Sequence, residues 1–179
     1  MDQIYYYLPA LETIRDFMEL GGDVLFVIGF LTLFMWVLIV ERLVYLRSGH
    51  KRLAATALTM WESRTDHKSW NAHQIRTRLI SQVSARVERN IPLIQTCVAL
   101  CPLLGLLGTV TGMVEVFEVM AISGSGNPRS MASGVSKATI PTMAGMVAAL
   151  SGVAMATYLQ RKASQERELL ADNLFIGSK

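Results

Sequence analysis

Leu103-Leu104-Gly105-Leu106-Leu107-Gly108-Thr109-Val110-Thr111-Gly112-Met113 is an uncharged, mostly apolar run in which small residues return at fixed intervals. It sits inside a longer apolar block, residues 93–120, whose acids, Glu115 and Glu118, come near its end. At 1.5 Å per residue, a hydrocarbon core ~30 Å thick takes about 20 residues, so this block is long enough to cross a membrane as a helix. Cys101, Gly105, Gly108 and Gly112 follow one another at helical spacing and share one face. Apolar faces gain little hydrophobic energy by meeting in lipid. A stripe of small residues there marks a line along which two backbones come close.

Reading outward, residues 121–130 hold the breaker-rich stretch Ser123-Gly124-Ser125-Gly126-Asn127-Pro128-Arg129, a short turn. A third apolar block, residues 131–159, follows it, so the two helices pair as an antiparallel hairpin. The third block carries the same device: Ala138, Thr142, Gly145, Ala149, Gly152 and Ala156 lie on one face. Pro102 and Pro141 fall inside the spans, where each removes a backbone donor and kinks its helix or frees a carbonyl. Thr109 stands about 12 residues before the turn and Thr142 about 11 after it. Both are therefore expected ~17 Å deep, near the midplane. Two hydroxyls at one depth line a polar path, unless each only bonds its own helix backbone.

Upstream, residues 23–46 form another span, uncharged from Val24 to Val40 and closed by Glu41-Arg42. The class is thus all-α, an integral membrane protein with three transmembrane helices, and a hydrophobic fraction of 51% agrees. Residues 47–92 are basic, with Arg47, Lys51, Arg52, Arg64, Lys68, Arg76, Arg78, Arg86 and Arg89 against Glu62, Asp66 and Glu88. The tail, residues 160–179, adds Arg161, Lys162, Arg167 and Lys179. The N-terminal segment instead carries Arg15 among Asp2, Glu12, Asp16, Glu19 and Asp23. Positive charge stays inside, so the N-terminus is expected outside, with the basic loop and tail in the cytoplasm facing anionic lipid. Topology accounts for the net charge of +3, and nucleic acid is not implied.

Tyr7, Leu11, Ile14 and Met18 make one apolar face in residues 1–22, expected as an interfacial helix on the outer side that ends at Gly21-Gly22. No positive n-region precedes an apolar run at the start, so no secretory signal is read. In the loop, Ile75, Leu79, Val83 and Val87 predict a helix over residues 75–90. His50, His67 and His73 match no ligand spacing, and Cys97 with Cys101 lacks nearby His or carboxylate partners; neither metal nor cofactor is expected. No nucleophile–base pair, metal set or phosphate loop marks an enzyme.

Lys137 is the exception inside the third span. It stands six residues after Met131, and Glu115 six before Ala121, so both are expected ~9 Å below the turn. An intramembrane lysine costs ~2.5–3.5 kcal/mol at a lipid-facing centre, so pairing of Lys137 with Glu115, within or between subunits, is expected over snorkelling outward.

The run 103–113 quoted above resembles the second-span signature of the MotA/TolQ/ExbB proton-channel family. Gly134-Val135-Ser136-Lys137-Ala138-Thr139-Ile140-Pro141-Thr142-Met143-Ala144-Gly145-Met146-Val147-Ala148 resembles its third span, and Glu41-Arg42 also fits. The likeness is strongest over residues 95–160 and nearest to the ExbB branch, in a short form as in accessory TonB systems. It implies a homopentamer around a central pore in the bacterial inner membrane. It also implies an ExbD-like single-span partner with a proton-binding Asp, and a TonB-like protein that carries the energy to outer-membrane transporters. By the same resemblance Thr109 and Thr142 match the pore threonines, with Ser133 and Ser136 extending the proton path outward. Gly105, Gly108, Gly112, Ala138, Gly145, Ala149 and Gly152 are the packing residues. Lys137 departs from the family, whose ExbB members commonly carry Glu there, and the cytoplasmic loop is short. A TolQ-like or flagellar-stator-like subunit and a passive membrane scaffold stay open as alternatives.

Overall fold

The computed structural model describes residues 9–49, 55–56, 58–61, 63, 69–123 and 128–176. Its long elements are all helical: α1 (Pro9–Val44), continued by a π-helical turn (Tyr45–Gly49), α2 (Trp70–Glu88), α3 (Ile91–Ser123) and α4 (Pro128–Ile176). Three stretches are long and apolar enough to cross a membrane: Gly21–Arg47, Trp70–Ile122 and Gly134–Leu174. Their outer faces are apolar, with Phe30 73%, Ile122 81% and Leu150 72% exposed. Apolar side chains this exposed, in rows along three helices, suit a lipid surrounding rather than water.

The chain divides into two compact units, one from Met1–Met35 and Thr96–Gly152, the other from Trp36–Gln95 and Val153–Lys179. In the first unit α1 is broken at Gly22, whose φ of 64° and ψ of −165° lie outside the helical range. That φ is positive, and glycine adopts it without the steric cost of a Cβ. Beyond the break, Leu25, Ile28 and Met35 are buried at helical spacing. Of the amphipathic face read in residues 1–22, Tyr7 and the side chains of Leu11 and Ile14 lie outside the described residues.

Close contact between α3 and α4 forms the rest of this unit. Contacts run in opposite directions along the two helices: Val116 meets Gly134, Gly112 meets Ala138, Gly108 meets Pro141, Gly105 meets Thr142, Cys101 meets Gly145 and Val98 meets Gly152. There is no room for side chains at the crossing points. A Cβ on Gly145 would lie 2.5 Å from the Cys101 carbonyl oxygen, and one on Gly105 would lie 2.9 Å from Thr142 Cα. Backbone opposes backbone at both points, so neither clash is relieved by turning a side chain. Pro141 is buried inside α4, against Gly108. Its missing N–H withholds the helical donor that the Lys137 carbonyl would otherwise have.

The second unit is held by polar bridges as well as apolar packing. Ser69 caps α2, accepting from the Ala72 amide at 3.2 Å. This cap is why α2 starts at Trp70, five residues before the apolar stripe that pointed to a helix over 75–90, and it ends at Glu88. Arg76 donates to the Ala171 carbonyl at 2.9 Å, Asn90 to Glu41 at 2.7 Å and Gln95 to Gln160 at 3.3 Å. Arg42 is only 2% exposed; its Nε and Nη2 have no hydrogen-bond partner among the described residues, and its guanidinium lies 5.0 Å from the Tyr45 ring centroid. Residues 160–176, read from sequence as a tail, continue α4 without a break. From Leu159 onward, Ala163, Leu170 and Leu174 are also buried, four and seven residues apart, so an apolar seam carries the helix on.

The Gly145 crossing yields a direct expectation. Gly145→Ala forces the backbones apart and costs roughly 1–3 kcal/mol, the range for overpacking. Gly29→Ala, whose Cβ would meet only Met18 Cε at 3.9 Å, is neutral or stabilising. Thermal midpoints of the purified protein in detergent should separate the two substitutions.

Candidate functional site

The two threonines singled out by sequence are carried by α3 and α4, and their hydroxyls are used differently. Thr142 Oγ1 lies 2.8 Å from the Gly105 carbonyl oxygen, across the gap between the helices. A carbonyl only accepts, so the threonine donates. The bond is possible because Gly105 and Gly145, which face each other here, place no side chain between the helices. Thr109 Oγ1 donates to the Leu106 carbonyl of its own helix at 2.7 Å. Contact with both Gly105 and Gly108 puts the 141–142 turn between those two levels. Thr109 is thus offset from Thr142 by half a turn to a turn, about 3–6 Å, rather than level with it.

These bonds fix what the hydroxyls can do. Each has committed its single proton to a backbone carbonyl, and each oxygen keeps a lone pair. Thr109 and Thr142 therefore act toward any third group as acceptors. They suit a neutral carboxylic acid, a water or a hydronium, and they offer nothing to an ionised carboxylate unless a backbone bond is given up.

Nearer the Ser123 end, Lys137 Nζ lies 3.4 Å from Glu115 Oε2. The antiparallel register brings the two charges together, one helical step beyond the Gly112–Ala138 contact. Both side chains are substantially exposed, 41% and 65% respectively. An isolated pair so exposed adds little stability in water. Its value in lipid is different, because an unpaired lysine there is costly. Thr111, which sequence reading left aside, turns its hydroxyl to the Leu107 and Gly108 carbonyls, both at 3.1 Å. Ser136 is exposed and its carbonyl accepts from Thr139 at 2.8 Å; the side chain of Ser133 lies outside the described residues. The packing residues Gly105, Gly108, Ala138, Gly145, Ala149 and Gly152 are buried, and Gly112 is half-buried.

Residues 46–172 match the MotA/TolQ/ExbB proton channel family. Among relatives, the chain is 40% identical over 90 residues to the biopolymer transport protein ExbB-like 1 of Synechocystis sp., covering 49% of this chain and 35% of that protein. It is 48% identical over 59 residues to biopolymer transport protein exbB1 of Vibrio cholerae, covering 32% of this chain and 26% of that one. The chain thus spans about a third or less of the length of these curated relatives. With three helices suited to crossing a membrane and relatives of this kind, it is a multi-pass membrane protein.

The bridge from Thr142 to Gly105 has a measurable worth. Thr142→Val should destabilise the hairpin by roughly 0.6–1.5 kcal/mol, and Thr142→Ser, which keeps the donor, by less. Unfolding of the two variants in mixed micelles reads the difference.

Proposed function

Because this chain belongs to the MotA/TolQ/ExbB proton channel family, we propose that it is the channel-forming subunit of a motor driven by the proton-motive force. In this reading five copies surround a central pore in the bacterial inner membrane, each with its N-terminus outside and its basic loop and tail in the cytoplasm. The surplus of arginine and lysine in residues 47–92 and 160–179 supports that orientation. The pore receives the single span of an ExbD-like partner whose membrane Asp carries the proton. The motion that results is passed to a TonB-like protein, which energises outer-membrane transport. The names of the two relatives, both biopolymer transport proteins, support this branch of the family over a stator.

The observation that carries the reading is the state of the two threonine hydroxyls, both donating to backbone carbonyls. In a low-dielectric interior a carboxyl is easier to hold neutral than ionised. An acceptor beside it adds a hydrogen bond to the neutral acid only. Thr109 and Thr142 thus favour a partner carboxyl in its protonated form within the pore and release it where water can solvate the carboxylate. The proton is stored on the partner, because a threonine does not titrate near neutral pH. Ser133 and Ser136 extend the hydroxyl series outward. Lys137, paired with Glu115, stands where related proteins carry a titratable acid, so this subunit supplies no proton site of its own at that position.

The same hydroxyl bonds favour a second reading, a passive scaffold in which Thr109 serves its own helix and Thr142 the α3–α4 contact. The double variant Thr109→Val/Thr142→Val separates the two. A channel subunit should still assemble with its partner yet lose energised transport by tenfold or more, the scale of about 1.4 kcal/mol on the proton-transfer step. A scaffold should keep transport in proportion to assembled protein. The readout is proton-gradient-dependent transport in cells, normalised to the complex recovered from membranes.

A further inference from the structure

At the end of its membrane span, α1 buries a cation without the acceptors it needs. Arg42 is 2% exposed, and its Nε and Nη2 have no acceptor among the described residues. These two nitrogens share one edge of the guanidinium, the edge that grips two oxygens of a phosphate or carboxylate at once. The Tyr45 ring, centred 5.0 Å away, meets the charge through its π face and takes neither N–H. The adjacent acid, Glu41, accepts from Asn90 at 2.7 Å. A guanidinium keeps its proton in a protein, so the charge persists. A buried charge left unpaired is strongly destabilising, so an anion from outside the described residues belongs here.

Two further arginines stand beside it. Arg89, in the join between α2 and α3, is near enough for its charge to act on Arg42. With Gln82, Ala85 and Arg86 it lines an open cavity of about 610 Å³ along α2. Glu88 lines a different cavity, together with Arg167. The Asn90–Glu41 bond ties the start of α3 to α1 and fixes the level of this cluster. On its membrane side Val40 and Leu93 are 53% and 45% exposed, so apolar surface begins where the arginines end. All of these residues belong to the second unit. An oxyanion held at this level has arginines around it and hydrocarbon next to it, the surroundings of a phospholipid phosphate rather than of a soluble acid. The cover over the Arg42 edge has to part for a ligand to enter. The helix changes from α to π winding right there, at Tyr45–Gly49, and such wide turns occur mostly as local bulges at functional sites.

We propose that Arg42, Arg86 and Arg89 form a binding site for the phosphate of an anionic phospholipid. The free edge of Arg42 takes two phosphate oxygens, Arg86 and Arg89 hold the headgroup in the open cavity, and the acyl chains run past Val40 and Leu93. The lipid supplies the acceptors that Arg42 lacks and so ties α1 to the α2–α3 join. The site stands whether or not the chain conducts ions; only its assignment to the cytoplasmic leaflet rests on the orientation given above.

The test follows thermal midpoints and native mass spectra of the full chain, purified in detergent and stripped of lipid. The probes are short-chain phosphatidylglycerol, phosphatidylcholine with the same chains, and inorganic phosphate. Phosphatidylglycerol should raise the midpoint and stay bound, at a half-saturating concentration about tenfold below that of phosphatidylcholine, whose own cation opposes the arginines. Arg42→Lys keeps the charge but loses the two-donor edge, and should bind phosphatidylglycerol about tenfold more weakly. Arg42→Met should reverse its effect between conditions. Without lipid it is at least as stable as the wild type, because the unpaired charge is gone; with phosphatidylglycerol it loses most of the gain. Should that variant fail to fold, Arg86→Gln/Arg89→Gln, at two exposed positions, should keep the lipid-free midpoint and weaken phosphatidylglycerol binding. Equal binding of the two lipids by the wild type, or variants that bind phosphatidylglycerol as the wild type does, overturns the proposal. Stabilisation by inorganic phosphate that lipid does not exceed assigns the anion to solution and overturns the lipid source. A midpoint that no probe moves leaves Arg42 to a carboxylate of a protein partner, and overturns it too. Transport is not part of the readout, so failure of the channel reading is distinguishable from failure of this one.

Discussion

The backbone of α3 touches the backbone of α4, and the rest of the first unit depends on that approach. The Cys101 carbonyl lies against Gly145 and the α-carbon of Thr142 against Gly105, at distances no Cβ would allow. Lipid removes the hydrophobic reward that drives such packing in water. What remains is dispersion between closely fitted surfaces and the hydrogen bonds that close approach permits. The Thr142–Gly105 bond is one of these, made across a gap that any larger residue would widen.

Functional chemistry follows from that register. A hydroxyl near the middle of a span must bond something, and here both threonines bond carbonyls. Thr142 is turned into an acceptor by the close approach that the glycines allow, and Thr109 by the carbonyl of its own helix. Two helical turns away, the same antiparallel alignment sets Lys137 beside Glu115, and the break at Gly22 opens room beside them. The second unit works by different means. Asn90 reaches Glu41 and Arg76 reaches a carbonyl of α4, so side-chain bonds knit the helices where charge replaces apolar surface. Arg42 is almost fully buried over Tyr45, with no hydrogen-bond acceptor at its Nε and Nη2 among the described residues.

The three long apolar helices and the faces of small residues were legible because both rest on periodicity, which needs no knowledge of the partner. The meeting of Lys137 and Glu115 was legible from depth counted along each helix, since a tight turn forces the two counts to agree. The same arithmetic set Thr109 and Thr142 level, and the structure offsets them by half a turn to a turn. Counting along a span gives depth only to the precision of the turn's unknown register. The direction of each hydroxyl bond was out of reach for the same reason. Asp23 was read as one more acidic residue of the N-terminal segment. Its place at a cavity wall emerges only when the α1 break meets α3 and α4 in space. Apolar spacing alone does not reveal the early start of α2, because its first turn carries no part of the apolar stripe and is set by the Ser69 cap.

The central claim is that the paired faces of α3 and α4 present acceptor hydroxyls to a guest helix. A cryo-electron microscopy map of the assembly purified with its partner tests it most directly. The account predicts a central cavity occupied by partner helices, with the Thr109 and Thr142 oxygens within hydrogen-bonding distance of a carboxyl side chain or an ordered water on the path to it. A map in which both threonines face the bilayer, around an assembly closed at its centre, would contradict it.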